Sequence, residues 1–107
     1  MYEVSPAEAK AKLDAGHARL IDVREPAEWE AARIEGAELV PMGEVRQEFQ
    51  RLEALAEETL LVIVCHHGVR SLRVVNWLRG QGVGNCVSLA GGIERWSTQV
   101  DAAVPRY

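Results

Sequence analysis

The chain has 107 residues, 48% of them hydrophobic and 26% charged, which is enough apolar material for one compact domain spanning 1–107 and too little length for two. A formal net charge of −4 argues against general nucleic-acid binding, and no apolar run approaches the ~20 residues that a membrane span needs. Two cysteines make no disulfide framework, and Met1-Tyr2-Glu3-Val4-Ser5-Pro6 lacks a secretion-signal pattern, so a soluble cytoplasmic protein with one site is expected.

Ser5-Pro6-Ala7-Glu8 is a capping-box pattern, with Ser at the N-cap, Pro at the first helical position and Glu three residues after the cap. It predicts a helix that stops near Gly16. Ala18 to Val23 reads as a short buried strand with the polar groups Asp22 and Arg24 at its C-terminal end. Pro26 to Ala32 predicts a short helix, and Glu38-Leu39-Val40 before Pro41 a brief strand. From Glu44 to Leu55, Val45, Phe49, Leu52 and Leu55 recur in steps of four and three, the spacing of one helical face. Leu60 to Val64 is apolar on both faces and too short for a helix, as a central parallel strand must be. A helix over 71–79 follows, with Leu72, Val75, Trp77 and Leu78 available for packing, ended by Gly80 or Gly82. Val87-Ser88-Leu89 is the last strand, and Ala90-Gly91-Gly92 turns into Ile93-Glu94-Arg95-Trp96. This alternation implies an α/β domain with a mostly parallel sheet and helices on both faces. Ligands of such sheets sit outside the carboxyl ends of the strands, where Asp22 with Arg24, Cys65 with its loop, and Gly91-Gly92 can converge.

The segment Cys65-His66-His67-Gly68-Val69-Arg70-Ser71 joins a buried strand to a helix start. A thiol there meets backbone N–H groups and a helix N-terminus, which favour the thiolate or a terminal sulfur bonded to it. Gly68 supplies the backbone freedom for the turn. Of the 16 acidic residues, 14 lie in positions 1 to 58 and none between Thr59 and Ile93, a stretch that holds Arg70, Arg73 and Arg79. Two readings stand: a buried half of the domain, or a locally positive pocket for an anionic substrate. The loop residues alone allow sulfur transfer, dephosphorylation or plain packing of Cys65 as a small hydrophobe.

The loop resembles the active-site motif of the rhodanese superfamily: cysteine, two variable residues, glycine, a variable residue, arginine, then serine or threonine. Asp22-Val23-Arg24-Glu25-Pro26-Ala27-Glu28-Trp29, with Arg33-Ile34-Glu35-Gly36-Ala37 and Pro41 behind it, is similar to the family's first motif, and Gly91-Gly92-Ile93-Glu94-Arg95-Trp96 to its C-terminal one. The likeness spans about residues 2–97 and leaves the tail unassigned. Arg33 stands where the family usually has histidine, with no expected effect on chemistry. The resemblance implies a rhodanese-like fold with a five-stranded sheet and a single-domain sulfurtransferase of thiosulfate sulfurtransferase type. Cys65 would be the nucleophile that takes sulfane sulfur from a small anionic donor such as thiosulfate and passes it, as a persulfide, to cyanide or a thiol. His66, His67, Gly68, Val69, Arg70 and Ser71 would bind substrate, with Arg70 holding the turn or the anionic donor. Asp22, Arg24, Gly91 and Gly92 would support the pocket. No cofactor or metal is expected, nor a nucleic-acid or membrane partner, while a persulfide-exchanging protein fits the same site.

Three other readings remain. A cysteine phosphatase or arsenate reductase needs five residues between cysteine and arginine, whereas only His66, His67, Gly68 and Val69 intervene here. Zinc on Cys65, His66, His67 and Cys86 has the right ligand types, but not the spacing. Cys86 precedes its strand while Cys65 follows another, so the sulfurs are expected roughly 15 Å apart, beyond a shared metal or a disulfide. A non-catalytic module for docking or sensing is the reading from a different class, although such modules commonly lack the cysteine. Asp22 and Arg24 are expected to fix loops, Trp29, Trp77 and Trp96 to line core or pocket, and the Glu-rich stretch from Glu25 to Glu58 to form a solvated face.

Overall fold

The computed structural model describes residues 2–107; Met1, with which the expected domain begins, lies outside the described residues. Ser5 caps α1 (Pro6–Asp14) as its sequence predicts: Glu8 N–H donates to Ser5 Oγ at 3.1 Å, and Ser5 N–H donates to Glu8 Oε1 at 3.2 Å. The strands are β1 (Glu3–Val4), β2 (Ala18–Asp22), β3 (Glu38–Leu39), β4 (Leu60–Val64) and β5 (Cys86–Leu89). They form one sheet in the order β1-β5-β4-β2-β3, and every pairing is parallel. Four of these strands are visible in the residue pattern; β1, only two residues long, carries no periodicity to read.

β4 is central, and its period of two sorts the core. Leu61, Ile63 and Cys65 face one side with Val74, Val75 and Leu78, while Val62 and Val64 face the other with Ile93 and Trp96. Leu61 through Val64 are each at most 1% exposed, and burying a side chain of this size stabilises by about 1.5–3 kcal/mol. The first face is covered by α3 (Phe49–Ala56) and α4 (Val69–Gly80), and the second includes residues of α1 and α5 (Gly92–Gln99). The remaining helix, α2 (Pro26–Ala31), follows the C-terminal end of β2. No helix among the described residues is long and apolar enough to cross a membrane.

The starts of β5, α3 and α4 differ from the sequence reading; β5 begins at Cys86, which lies in the strand and not before it. The stripe from Glu44 to Leu55 is not one helix: a 3-10 turn occupies Met42–Glu44, turns follow, and α3 begins only at Phe49. Val40 N–H donates to Asp22 O and Met42 N–H to Val23 O, so the chain leaves the sheet edge at Pro41 and must reverse before it can coil regularly. Consecutive turns keep roughly the same face inward, which is why Val45 and Leu52 are both buried although only one is helical. The fourth helix starts at Val69, two residues before its expected start, directly after Gly68.

Candidate active site at the Cys65 loop

Cys65 follows β4 at its carboxyl end and is 1% exposed. Its Sγ accepts the N–H of Gly68 at 3.0 Å and the N–H of Ser71 at 3.3 Å, and lies 3.2 Å from Ser71 Oγ. The first turn of α4 therefore points N–H groups that lack helical partners at the sulfur. Gly68 makes the turn possible: its φ is +104°, and a Cβ there would stand 3.3 Å from Gly91 N. Ser71 Oγ is in turn 2.7 Å from Ser88 Oγ, and both serines are fully buried. This hydroxyl pair accepts the proton of a neutral thiol or, turned round, donates to a charged sulfur.

The loop is docked onto α5. Ile93 N–H donates to Cys65 O at 2.9 Å and Glu94 N–H to His66 O at 3.1 Å, so the amides of one helix start are satisfied by the carbonyls of the other's loop. Gly92 permits the approach; a Cβ there would overlap both carbonyl oxygens. At Gly91 a Cβ would run into the Arg95 side chain.

Arg70 stands near enough to Cys65 for their charges to interact, and its guanidinium is held by Glu28. Its NH1 and NH2 donate to Glu28 Oε2 and Oε1 at 2.7 and 2.8 Å, a bidentate pair that fastens α4 to α2. This pairing, opposed by burial, holds the Glu28 carboxyl at about 2, well below the ordinary carboxylate range. α2 is itself held by a buried pair at the end of β2. Arg24 donates through Nε and NH2 to both Asp22 oxygens, and reaches Ala32 O and Glu28 O, carbonyls of the last turn of α2. Burial works against the Arg24 charge, but its bonds to Asp22 and Tyr107 outweigh it and raise the guanidinium's pKa. Asp22 and Arg24 are thus engaged with each other and with the carbonyls at the end of α2.

His66 is half-buried, and its ring stacks on His67 on one side and Tyr107 on another, each with centroids 4.0 Å apart. Burial, then the neighbouring His67, lowers the pKa of His66. Val69 is 63% exposed, and His67 is also exposed. The arginines of the acid-free stretch do not gather at one place. Arg70 meets Glu28, Arg73 lies in a groove with Met42, Arg46 and Trp77, and Arg79 donates to Cys86 O at the far end of the sheet. At about 1.5 Å per residue along α4, Arg70 and Arg79 stand too far apart to share a site.

Cys86 opens β5 opposite Leu61, about 13 Å down the sheet from Cys65 at ~3.3 Å per residue, and both thiols are free. Among the described residues, no three His, Cys, Asp or Glu side chains gather as metal ligands. Three further residues, Ser88, Glu28 and Tyr107, reach the loop or its supports. Ser88 was legible as a lone hydroxyl in an apolar strand. Glu28 was hidden among the solvent-facing glutamates, and Tyr107 lies in the tail, beyond every motif.

The rhodanese-like domain family matches residues 5–99. The chain is 33% identical over 105 residues to the probable adenylyltransferase/sulfurtransferase MoeZ of Mycobacterium tuberculosis, covering 97% of this chain and 26% of that protein. It thus spans about a quarter of MoeZ. It is 31% identical over 100 residues to the putative sulfur carrier protein YrkF of Bacillus subtilis, covering 92% of this chain and 52% of that one. Among solved structures it is similar to the human single-domain sulfurtransferase TSTD1, with a TM-score of 0.83 and 30% identity over 92% of this chain and 97% of that one. With the parallel sheet, the cysteine loop and its docking on α5 in place, the chain belongs to the rhodanese-like domain family.

Proposed function

We propose that this protein is a sulfurtransferase that carries sulfane sulfur as a persulfide on Cys65, within the reducing cytoplasm. The observation that carries the reading is the convergence of the Gly68 and Ser71 N–H groups and the Ser71 hydroxyl on one sulfur. The Cys65 thiolate attacks the outer sulfur of thiosulfate; the S–S bond to the sulfonate breaks, and sulfite leaves with its electron pair. The persulfide's terminal sulfur carries the negative charge, which the N–H groups and the Ser88-supported Ser71 hydroxyl are placed to stabilise. Cyanide, or the thiolate of a small molecule or partner protein, then attacks that sulfur and restores the Cys65 thiolate. Arg70 serves by holding the turn through Glu28, and His66, His67 and Val69, the more open residues of the loop, meet the donor and then the acceptor.

The loop has four residues between Cys65 and Arg70, one fewer than a phosphatase loop needs, and Arg70 is already engaged by Glu28, which disfavours the phosphatase reading. The names of MoeZ and YrkF favour a protein acceptor as one destination for the sulfur. Incubation with thiosulfate is expected to add one sulfur atom to the intact mass, and cyanide to remove it as thiocyanate. Equal behaviour of wild type and Cys65→Ser overturns the proposal and leaves the docking-module reading in its place.

A further inference from the structure

The tail after α5 lies beyond the family match, yet it is built into the protein. Val104 is buried, Ser97 Oγ donates to its carbonyl at 2.6 Å, and Arg106 Nε donates to Glu94 Oε1 at 2.7 Å. These anchors direct Tyr107 back over the Cys65 loop. Its hydroxyl accepts from Arg24 NH1 at 2.8 Å and donates to Glu28 Oε1 at 3.1 Å, the oxygen that also takes Arg70 NH2. Its ring lies on His66 with an interplanar angle of 13°, yet Tyr107 itself is 43% exposed. A residue that open adds little to a core, but here it touches the three side chains that hold the loop and α2 together.

We propose that Tyr107 is a positioning residue of the Cys65 loop: its hydroxyl ties Arg24 to the Glu28–Arg70 pair, and its ring fixes His66, the residue after the nucleophile. The proposal deepens the sulfurtransfer reading and rests on it for its consequence in catalysis. The hydroxyl takes an N–H of Arg24 that the protein does not otherwise employ, since Nε and NH2 are spent on Asp22 and Ala32 and the remaining NH1 proton reaches Glu28 O only at 3.3 Å. Removing the hydroxyl leaves a buried guanidinium short of an acceptor and frees Glu28 to follow Arg70. Removing the ring as well uncovers one face of His66, whose charged neighbours are His67, Glu28, Glu94 and Arg24, with Arg106 on Glu94 and Arg70 on Glu28. His66 and the N–H groups that follow it belong to one short turn, so freedom at His66 is freedom at the sulfur's donors.

The test compares wild type, Tyr107→Ala and Tyr107→Phe by the rate of Cys65 alkylation with iodoacetamide, the rate of sulfur loading from thiosulfate, and the His66 titration followed by NMR. Tyr107→Ala is expected to slow both Cys65 reactions about five- to tenfold and to move the His66 titration upward, with a melting temperature lowered by several degrees, so the rates are read well below it. Tyr107→Phe is expected to keep the wild-type His66 titration, because the stack remains, while Cys65 reacts more slowly. Wild-type behaviour of Tyr107→Ala overturns the proposal, and so does a folded Tyr107→Phe whose His66 titrates as in Tyr107→Ala. If Tyr107→Ala does not fold, Tyr107→Phe decides: slower alkylation supports the hydroxyl tie, and a wild-type rate refutes it. Failure of thiosulfate to load wild-type Cys65 counts against sulfur transfer alone, since alkylation and the His66 titration are read without it.

Discussion

Cys65 and Cys86 share one core face, on adjacent strands of one sheet, and both are buried and free. They differ in which end of a strand they occupy. Cys65 stands at a carboxyl end, where the chain turns into α4 and presents N–H groups to its sulfur. Cys86 stands at an amino end, where its Sγ donates to the carbonyl of Val83 at 3.5 Å and lies beside the Arg79 guanidinium; burial, partly opposed by Arg79, pushes its thiol up. At Cys86 burial outweighs a neighbouring cation, and the polarity of a parallel sheet decides which buried thiol also receives the backbone N–H groups of a helix start.

The sharpest way to break this comparison is to exchange the thiols for hydroxyls. Cys65→Ser is expected to abolish sulfur uptake from thiosulfate and Cys86→Ser to leave it intact, read by intact mass; uptake lost equally in both ends the distinction. The next largest effect is at the glycines of the two ends. Gly92→Ala should destabilise by about 3 kcal/mol in denaturant unfolding and slow Cys65, because its methyl overlaps the Cys65 and His66 carbonyls. Gly84→Ala, near Cys86, meets nothing within 4 Å and should change little.

A smaller effect is expected at the hydroxyl pair. Ser88→Ala removes the buried partner of Ser71 Oγ and should cost about 1–2 kcal/mol, with slower alkylation of Cys65 and none gained at Cys86. The smallest concerns pH. Glu28 titrates at about 2 in the folded protein against an ordinary 4.5, so the Arg70–Glu28 pair stabilises above the ordinary value and that contribution is lost as pH falls from there toward 2. With side chains 31% and 22% exposed the pair is partly screened, and Glu28→Gln should flatten this limb of the acid unfolding curve by about 1 kcal/mol. An unchanged acid limb would mean that the ion pair does not fasten the loop.

The elements that can be read from the sequence are those whose cause is local. Ser5 and Glu8 cap a helix three residues apart, and Leu60 to Val64 announces a strand buried on both faces. The stripe from Val45 to Leu55 foretells an inward face, but the hydrogen bonding that makes only its second half helical depends on where β3 releases the chain. The site divides in the same way. Cys65, Gly68 and Ser71 stand within seven residues and meet through one turn. The charge pattern does not reveal what Arg70 meets, because it counts neighbours along the chain while Glu28, 42 residues away, faces Arg70 across two helices.

By itself, then, the sequence determined that a thiol sits between a central strand and a helix start, and that glycine lets the turn close on it; both follow from short-range backbone geometry. Only the tertiary structure decided what holds that turn. The parallel order of the strands brings the carboxyl ends of β2, β4 and β5 together, so that Arg70 finds Glu28, the Cys65 carbonyl finds the amides of α5, and Arg24 finds Tyr107 at a separation of 83 residues. No local pattern encodes those meetings, because each is a contact between chain segments that only the assembled sheet places side by side.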